Sequence, residues 1–283
     1  MKGVLDMAEI RIEGSFELLS QDEWNEYLGV NLFNEMRLDM ACFGVSTEGI
    51  PDLSHPQLAE MIMLHNNKVG ALSITYALTR HYFDKGIPDD PWYISPGAKG
   101  QSVQYFPEYQ EEHWMRHYWF NYFSDTFYMK ISSVWDSIIE ILNHFYSLDY
   151  PNDLRLRSNV IGWLKQNAAD VASIFTEIQQ DQLYKDAHLY RTLAAHGTSA
   201  ASVVNKIQSS KNVLVDVIDH DANGNLRLDE HNKPIMKKIK AKAVISMRVG
   251  DYINVSTILK NMEDYSHYSG RKMQEIVGLI MKP

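Results

Sequence analysis

Apolar residues recur at spacings of three and four through most of the chain, which is the pattern of helices with one buried face. Trp24, Tyr27, Leu28, Leu32, Met36 and Met40 predict a helix over about 22–39. Ser54-His55-Pro56 then opens a second helix, with Ser54 as cap and Pro56 in the first turn. Its stripe of Leu58, Ile62, Leu64, Val69, Leu72, Tyr76 and Phe83 runs to Lys85-Gly86, a cationic end followed by a glycine. Residues 86–107 hold seven glycines and prolines, so they read as a long ordered loop. The longest helix is expected over about 111–146. From Trp114 to Phe123 it is apolar nearly all round, as suits the centre of a bundle or a dimer interface. Pro151 stops it, and further helices are expected over about 153–180, 182–208 and 255–281.

One stretch breaks the helical rhythm. Val213-Leu214-Val215-Asp216-Val217-Ile218 is short and β-branched, and Asn223-Gly224 is a strong hairpin turn. The expected fold is therefore mainly α, a helical bundle of four to five core helices with one β-hairpin excursion. Its parts would be an N-terminal extension (1–54) packed on the bundle, the bundle proper (55–208), a hairpin insertion (209–250), and a C-terminal helix (251–283) completing the bundle.

Composition narrows the chemistry. The 283 residues include a single cysteine, Cys42, so neither an internal disulfide framework nor a CxxC zinc site is available. No apolar run has the ~18 residues that a membrane span needs, and the first residues lack the apolar core of a signal peptide. A soluble, cytoplasmic protein with no membrane partner is the expectation. The net charge of −9 is uneven: residues 1–150 carry 9 basic and 22 acidic side chains, residues 151–283 carry 18 and 14. A polyanion would meet the second half more easily. The run Lys237, Lys238, Lys240, Lys242 is a candidate grip on a phosphate backbone, or alternatively a solvated hairpin edge.

Three constellations could carry chemistry. In Tyr190-Arg191-Thr192-Leu193-Ala194-Ala195-His196-Gly197, a permanent cation precedes by five positions a side chain that titrates near neutrality. For cleaving RNA, an imidazole can move the proton of a ribose 2′-hydroxyl or of the leaving oxygen, and a guanidinium can neutralise charge at phosphorus. No metal or other cofactor is needed. Positions five apart on an ideal helix are ~140° apart, so the two groups converge only at a loosened turn or when a second chain completes the site. His188, one turn before Arg191, faces roughly the same way.

The second constellation, Asp219, Asp221, Asn223, Gly224, Asn225 and Glu230, fits the D-x-[DN]-x-[DN]-G-x5-E spacing of a calcium loop. Its flanks do not read as the two helices that such a loop needs, and a hairpin turn at Asn223-Gly224 explains the same residues without Ca²⁺. The third is His113 and His117, one helical turn apart beside Glu112, half of a metal site with no evident remainder. No phosphate-cradling glycine loop and no Gly-x-Ser-x-Gly elbow occurs.

Arg191-(four residues)-His196, with a polar residue after the arginine and a glycine after the histidine, resembles the R-x4–6-H motif of the HEPN (higher eukaryotes and prokaryotes nucleotide-binding) superfamily. Trp92-Tyr93-Ile94-Ser95-Pro96-Gly97, Tyr105-Phe106-Pro107 and the aromatic helix also look like a bacterial branch of it. The resemblance covers about 55–205. It implies a helical bundle, RNA or nucleotide as partner, a homodimer, and in many members metal-independent endoribonuclease activity. Under it Arg191 would contact the scissile phosphate and His196 would act as general acid or base. Thr192 stands where the family most often has asparagine, aspartate or histidine. That departure keeps open a non-catalytic helical scaffold that binds nucleotide or protein.

Overall fold

The computed structural model describes residues 16–29, 31–43, 56–89, 92–94, 103–105, 109–196, 199–202, 206–221, 223–248 and 253–281. They form a mainly α fold in two compact units, one of residues 1–202 with 253–283 and one of residues 203–252.

The first unit holds α1 (Gln21–Gly29), two 3₁₀ turns (Asn31–Met36 and Met40–Phe43), α2 (Pro56–Asp84), β1 (Trp92–Ile94), β2 (Val103–Tyr105), α3 (Glu111–Phe145), α4 (Leu156–Asn167), α5 (Ala169–Gln180), α6 (Gln182–His196) and α7 (Val255–Ile280). Helix α3, about 52 Å long at 1.5 Å per residue, is the axis on which α2, α4, α6 and α7 pack. Its aromatic and β-branched residues are mediocre helix formers; burial compensates. Phe120, Phe127, Tyr128, Ile131, Val134, Trp135 and Leu142 are buried, whereas Trp114, Tyr118 and Tyr122 are exposed. The first turns of α3 are therefore two-faced rather than enclosed all round.

The expected helix over 22–39 divides after Gly29 into α1 and the 3₁₀ turn that follows. The second piece follows the α7 surface, burying Leu32, Phe33 and Met36. The approach is close: a Cβ on Gly270 of α7 would lie 2.8 Å from the Glu35 side chain, so only glycine fits there without a shift. Buried His65 on α2 joins this segment to α3, one ring nitrogen 2.8 Å from the Met36 carbonyl and the other 2.8 Å from the Ser137 hydroxyl. Burial pushes that imidazole down to about 4.

Other boundaries also differ from the sequence pattern. Residues 153–180 form two helices, because Ala168 leaves the helical region (φ −145°, ψ 63°). Just before it the Asn167 amide donates to the Trp163 carbonyl, a local bond that competes with helix continuation. The loop expected over 86–107 contains an antiparallel hairpin with Trp92 opposite Tyr105 and Ile94 opposite Val103. Its two strands are three-residue runs of β-formers set between the breakers. Helix α6 extends no further than His196, and Lys206–Gln208, expected at its end, are already strand. After the second unit the chain re-enters the bundle at α7. The Asp89 carboxylate accepts the N–H groups of Val255 (2.8 Å) and Ser256 (3.0 Å) there, satisfying two of the donors that a helix start leaves open.

The second unit is a two-stranded antiparallel ribbon of β3 (Lys206–Ile218) and β4 (Met236–Arg248), in register from Lys206 opposite Arg248 to Ile218 opposite Met236. Its first strand begins before the expected Val213–Ile218 run, three residues ahead of the insertion expected over 209–250. Its tip is not a two-residue turn at Asn223-Gly224 but two successive small turns, closed by bridges between His220 and Leu226 and between Leu228 and Pro234. Each turn is led by an aspartate. Asp221 accepts from the Asn223 and Asn225 N–H groups, and Asp229 accepts from those of His231 and Lys233. Each has its positive φ three residues on, at Gly224 (83°) and Asn232 (65°).

A candidate RNA-processing site on helix 6

Helix α6 lies against α3 through Ala187 and Tyr190, both buried, with the Tyr190 and Tyr128 rings 5.1 Å apart. This contact fixes the rotation of the helix and so turns Arg191 toward a cavity of about 220 Å³ between α3, α4, α6 and α7. Ser132 and Asp136 of α3, Arg157 of α4, Tyr184, His188 and Arg191 of α6 and Tyr265 of α7 line it. The volume is below the roughly 300–1,000 Å³ of drug-sized ligand sites and suits a small polar group.

The cavity gathers unlike charges. Arg157 lies 3.7 Å from Asp136. Arg191 is half-buried, and its Nε is shielded from solvent without a hydrogen-bond partner among the described residues. An N–H left so costs free energy until an acceptor reaches it. The His188 ring stacks on Tyr184, centroids 6.0 Å apart and planes 9° apart. Burial pushes the phenol of Tyr265 well above its ordinary value.

Arg191 and His188, three positions apart, thus share the cavity. His196, the last residue of α6, is exposed and does not line it. The Thr192 hydroxyl donates to the His188 carbonyl at 2.8 Å, a bond within the helix. Beyond α6, the Ser199 hydroxyl donates to Asp125 of α3 at 3.0 Å. Burial pushes the Asp125 carboxyl up to about 6, the hydroxyl acting the other way. Asp125 stands in an i, i+4, i+8 row with His117 and Asn121, and burial pushes His117 down to about 4.

Neither Asp125 nor Arg157 stands out in a linear reading. Asp125 had one overlooked signal, an acid repeating at helical spacing behind a histidine and an asparagine in an aromatic helix. Arg157 had none; only the packing of α4 brings it to the cavity.

The other sequence candidates are placed as follows. Lys237 is drawn to Asp219 at 2.6 Å, and Lys238 is exposed. Lys240 and Lys242 lie in β4, with side chains outside the described residues. The twelve residues that match a calcium loop are flanked by strands β3 and β4 rather than helices. Asp219 is paired with Lys237 and Arg227, and Asp221 is turned inward on Asn223 and Asn225. Glu230 is exposed beside His231. In α3, a ring nitrogen of His113 accepts the Gln110 N–H at 3.2 Å, and Glu112 pairs with Arg116. Among the described residues no group of three or more His, Cys, Asp or Glu is gathered as a metal ion requires.

A mainly helical bundle with an Arg-x4-His pair on a late helix is the architecture of HEPN proteins. The chain belongs to the Cthe2314-like HEPN family, whose profile matches residues 62–247, from α2 through the ribbon. No curated protein and no solved structure matches it. Among the described residues no helix is long and apolar enough to cross a membrane.

Proposed function

We propose that the protein is a metal-independent endoribonuclease that works in the cytoplasm as a homodimer, with Arg191 at the scissile phosphate. The observation that carries this reading is the shielded, unpartnered Nε of Arg191 beside His188 and Arg157 in a small cavity. A phosphate oxygen supplies the missing acceptor, and guanidinium geometry suits two such oxygens. His196 takes the proton from the ribose 2′-hydroxyl as that oxygen attacks phosphorus. The bond to the 5′-oxygen breaks, and that oxygen receives a proton. A 2′,3′-cyclic phosphate and a 5′-hydroxyl result. The exposed row Trp114, Tyr118 and Tyr122 on α3 supports pairing of two copies.

A second reading, a non-catalytic module that binds RNA or nucleotide, is favoured by the position of His196 outside the cavity. Cleavage of a mixed RNA pool in EDTA by wild type, Arg191→Ala, His188→Ala and His196→Ala separates the two. Cyclic-phosphate ends from wild type, lost in Arg191→Ala and His196→Ala at an unchanged thermal midpoint, are expected for the enzyme. Loss in His188→Ala with full activity in His196→Ala moves the proton transfer to the cavity histidine. No cleavage by folded wild type leaves the binding module.

A further inference from the structure

The register of β3 and β4 sorts the ribbon residues by parity, since opposite residues share a face and neighbours along a strand alternate. One face takes Lys206, Lys238, Lys240, Lys242 and Arg248, interspersed with Leu214, Ile218, Met236 and Val244, with Asp216 its only acid. The other takes Ile207, Val213, Val215, Val217, Ile239 and Ile245, together with Lys211 and Lys237. From Lys238 to Arg248 the cationic face runs about 34 Å at 3.4 Å per residue.

Two features point to an anionic partner. Lys206 and Arg248 stand directly opposite one another, a like-charged pair that is unfavourable unless an anion lies across it. In the register Lys238 stands opposite an acid, Asp216, whereas Lys240 stands opposite Leu214. Lys237, although within the same run of sequence, is on the other face and is held by Asp219.

We propose that this face of the ribbon is an arm that binds the phosphate backbone of an RNA strand, and that Lys238, Lys240 and Lys242 contact it while Lys237 does not. The proposal rests on RNA being the substrate of the Arg191 site, and assigns a second, separate contact with the same strand. Cations spread along a strand of the ribbon track a chain of phosphates without reading bases, so the contact is sequence-blind and salt-dependent.

The test is fluorescence anisotropy of a labelled 30-nucleotide 2′-O-methyl RNA, which cannot be cleaved, titrated in EDTA across salt concentrations. The combined variant Lys238→Thr, Lys240→Thr, Lys242→Thr keeps β-forming residues in the strand. It is expected to bind at least tenfold more weakly than wild type at low salt. The slope of log affinity against log salt should be about 2 units shallower, at ~0.7 per phosphate released from a single strand. Lys237→Thr should match wild type, and Lys240→Arg with Lys242→Arg should retain binding, which separates charge from folding. Wild-type binding with an unaltered triple variant overturns the arm and leaves the Arg191 reading standing. Equal loss in Lys237→Thr also overturns it, since parity then has no meaning. Failure of wild type both to bind this RNA and to cleave unmodified RNA overturns the Arg191 reading, and the arm with it. Wild-type binding to anionic phospholipid vesicles but not to RNA overturns the arm's choice of partner.

Discussion

The bundle and the ribbon are stabilised in opposite ways. In the bundle, residues far apart in sequence bury one another: Tyr76 of α2 donates to Glu263 of α7, and Tyr128 of α3 donates to Asn261. In the ribbon, partners come from two adjoining strands, and the side chains described near its tip are exposed, Ile239 and Met236 at 42% and 53%. A core position is therefore held by many neighbours, and a ribbon position by its ladder and turns. The two proposed sites divide along the same line, a cavity in one unit and a run of basic positions in the other.

Mutation should break this comparison most visibly in the core. Phe127→Ala removes a wholly buried ring and is expected to cost about 3–5 kcal/mol in urea unfolding, whereas Ile239→Ala should cost under about 0.5. Equal losses would mean that the ribbon shares the bundle's core.

Acid is expected to act next most strongly, and on the bundle. His65 and His117 are held neutral by burial, each down to about 4 from an ordinary 6.5. The unfolded chain binds more protons between those values, so stability present above pH 6.5 is lost as pH falls through 4. Each histidine accounts for about 3 kcal/mol. Urea midpoints at pH 7.5 and 4.5 measure this, and the loss should shrink in His65→Gln.

Asp125 has the opposite sign. Its carboxyl, near 6 when folded against an ordinary 3.8, makes the folded state bind more protons between those values, so ionisation lowers stability as pH rises. Asp125→Asn should gain about 1–3 kcal/mol at pH 8 and nothing below pH 3.8. A loss at pH 8 would show that the carboxylate is needed ionised. In the ribbon, Gly224→Ala, at φ 83°, should cost only about 1–2 kcal/mol. Hydrogen exchange should place that loss at the tip, with the bundle midpoint unmoved.

How much was legible in the sequence follows from the same contrast. The limits of α2 and α3 could be read because proline at a helix start and glycine or proline beyond its end act locally, while Ser54, the expected cap of α2, lies outside the described residues. The division of 153–180 could not, because Ala168, where the backbone leaves the helical region, carries no breaker signal. The Asp219–Glu230 spacing fits two readings for a physical reason: aspartates that lead tight turns and aspartates that ligate calcium need the same short reach beside a residue of positive φ. Within the site, Arg191 was readable as a motif. Its cavity was not, since Arg157, Tyr184 and Tyr265 meet it only through packing. In the lysine run, the difference between Lys237 and Lys238 depends on strand register, which composition does not show.

The pairing of Lys206 with Arg248 has a further consequence, for the order in which the chain assembles. Helix α7 belongs to the bundle but begins at Val255, beyond the whole second unit, a separation that would ordinarily slow its docking through the entropy of closing so long a loop. A hairpin forms locally, in about 1–10 μs, and once the ribbon has zipped down to its base its two ends are neighbours. The stretch left to search is then only the few residues on either side. The Asp89 carboxylate waits at the far end of that short search, so a long excursion acts kinetically as a short link.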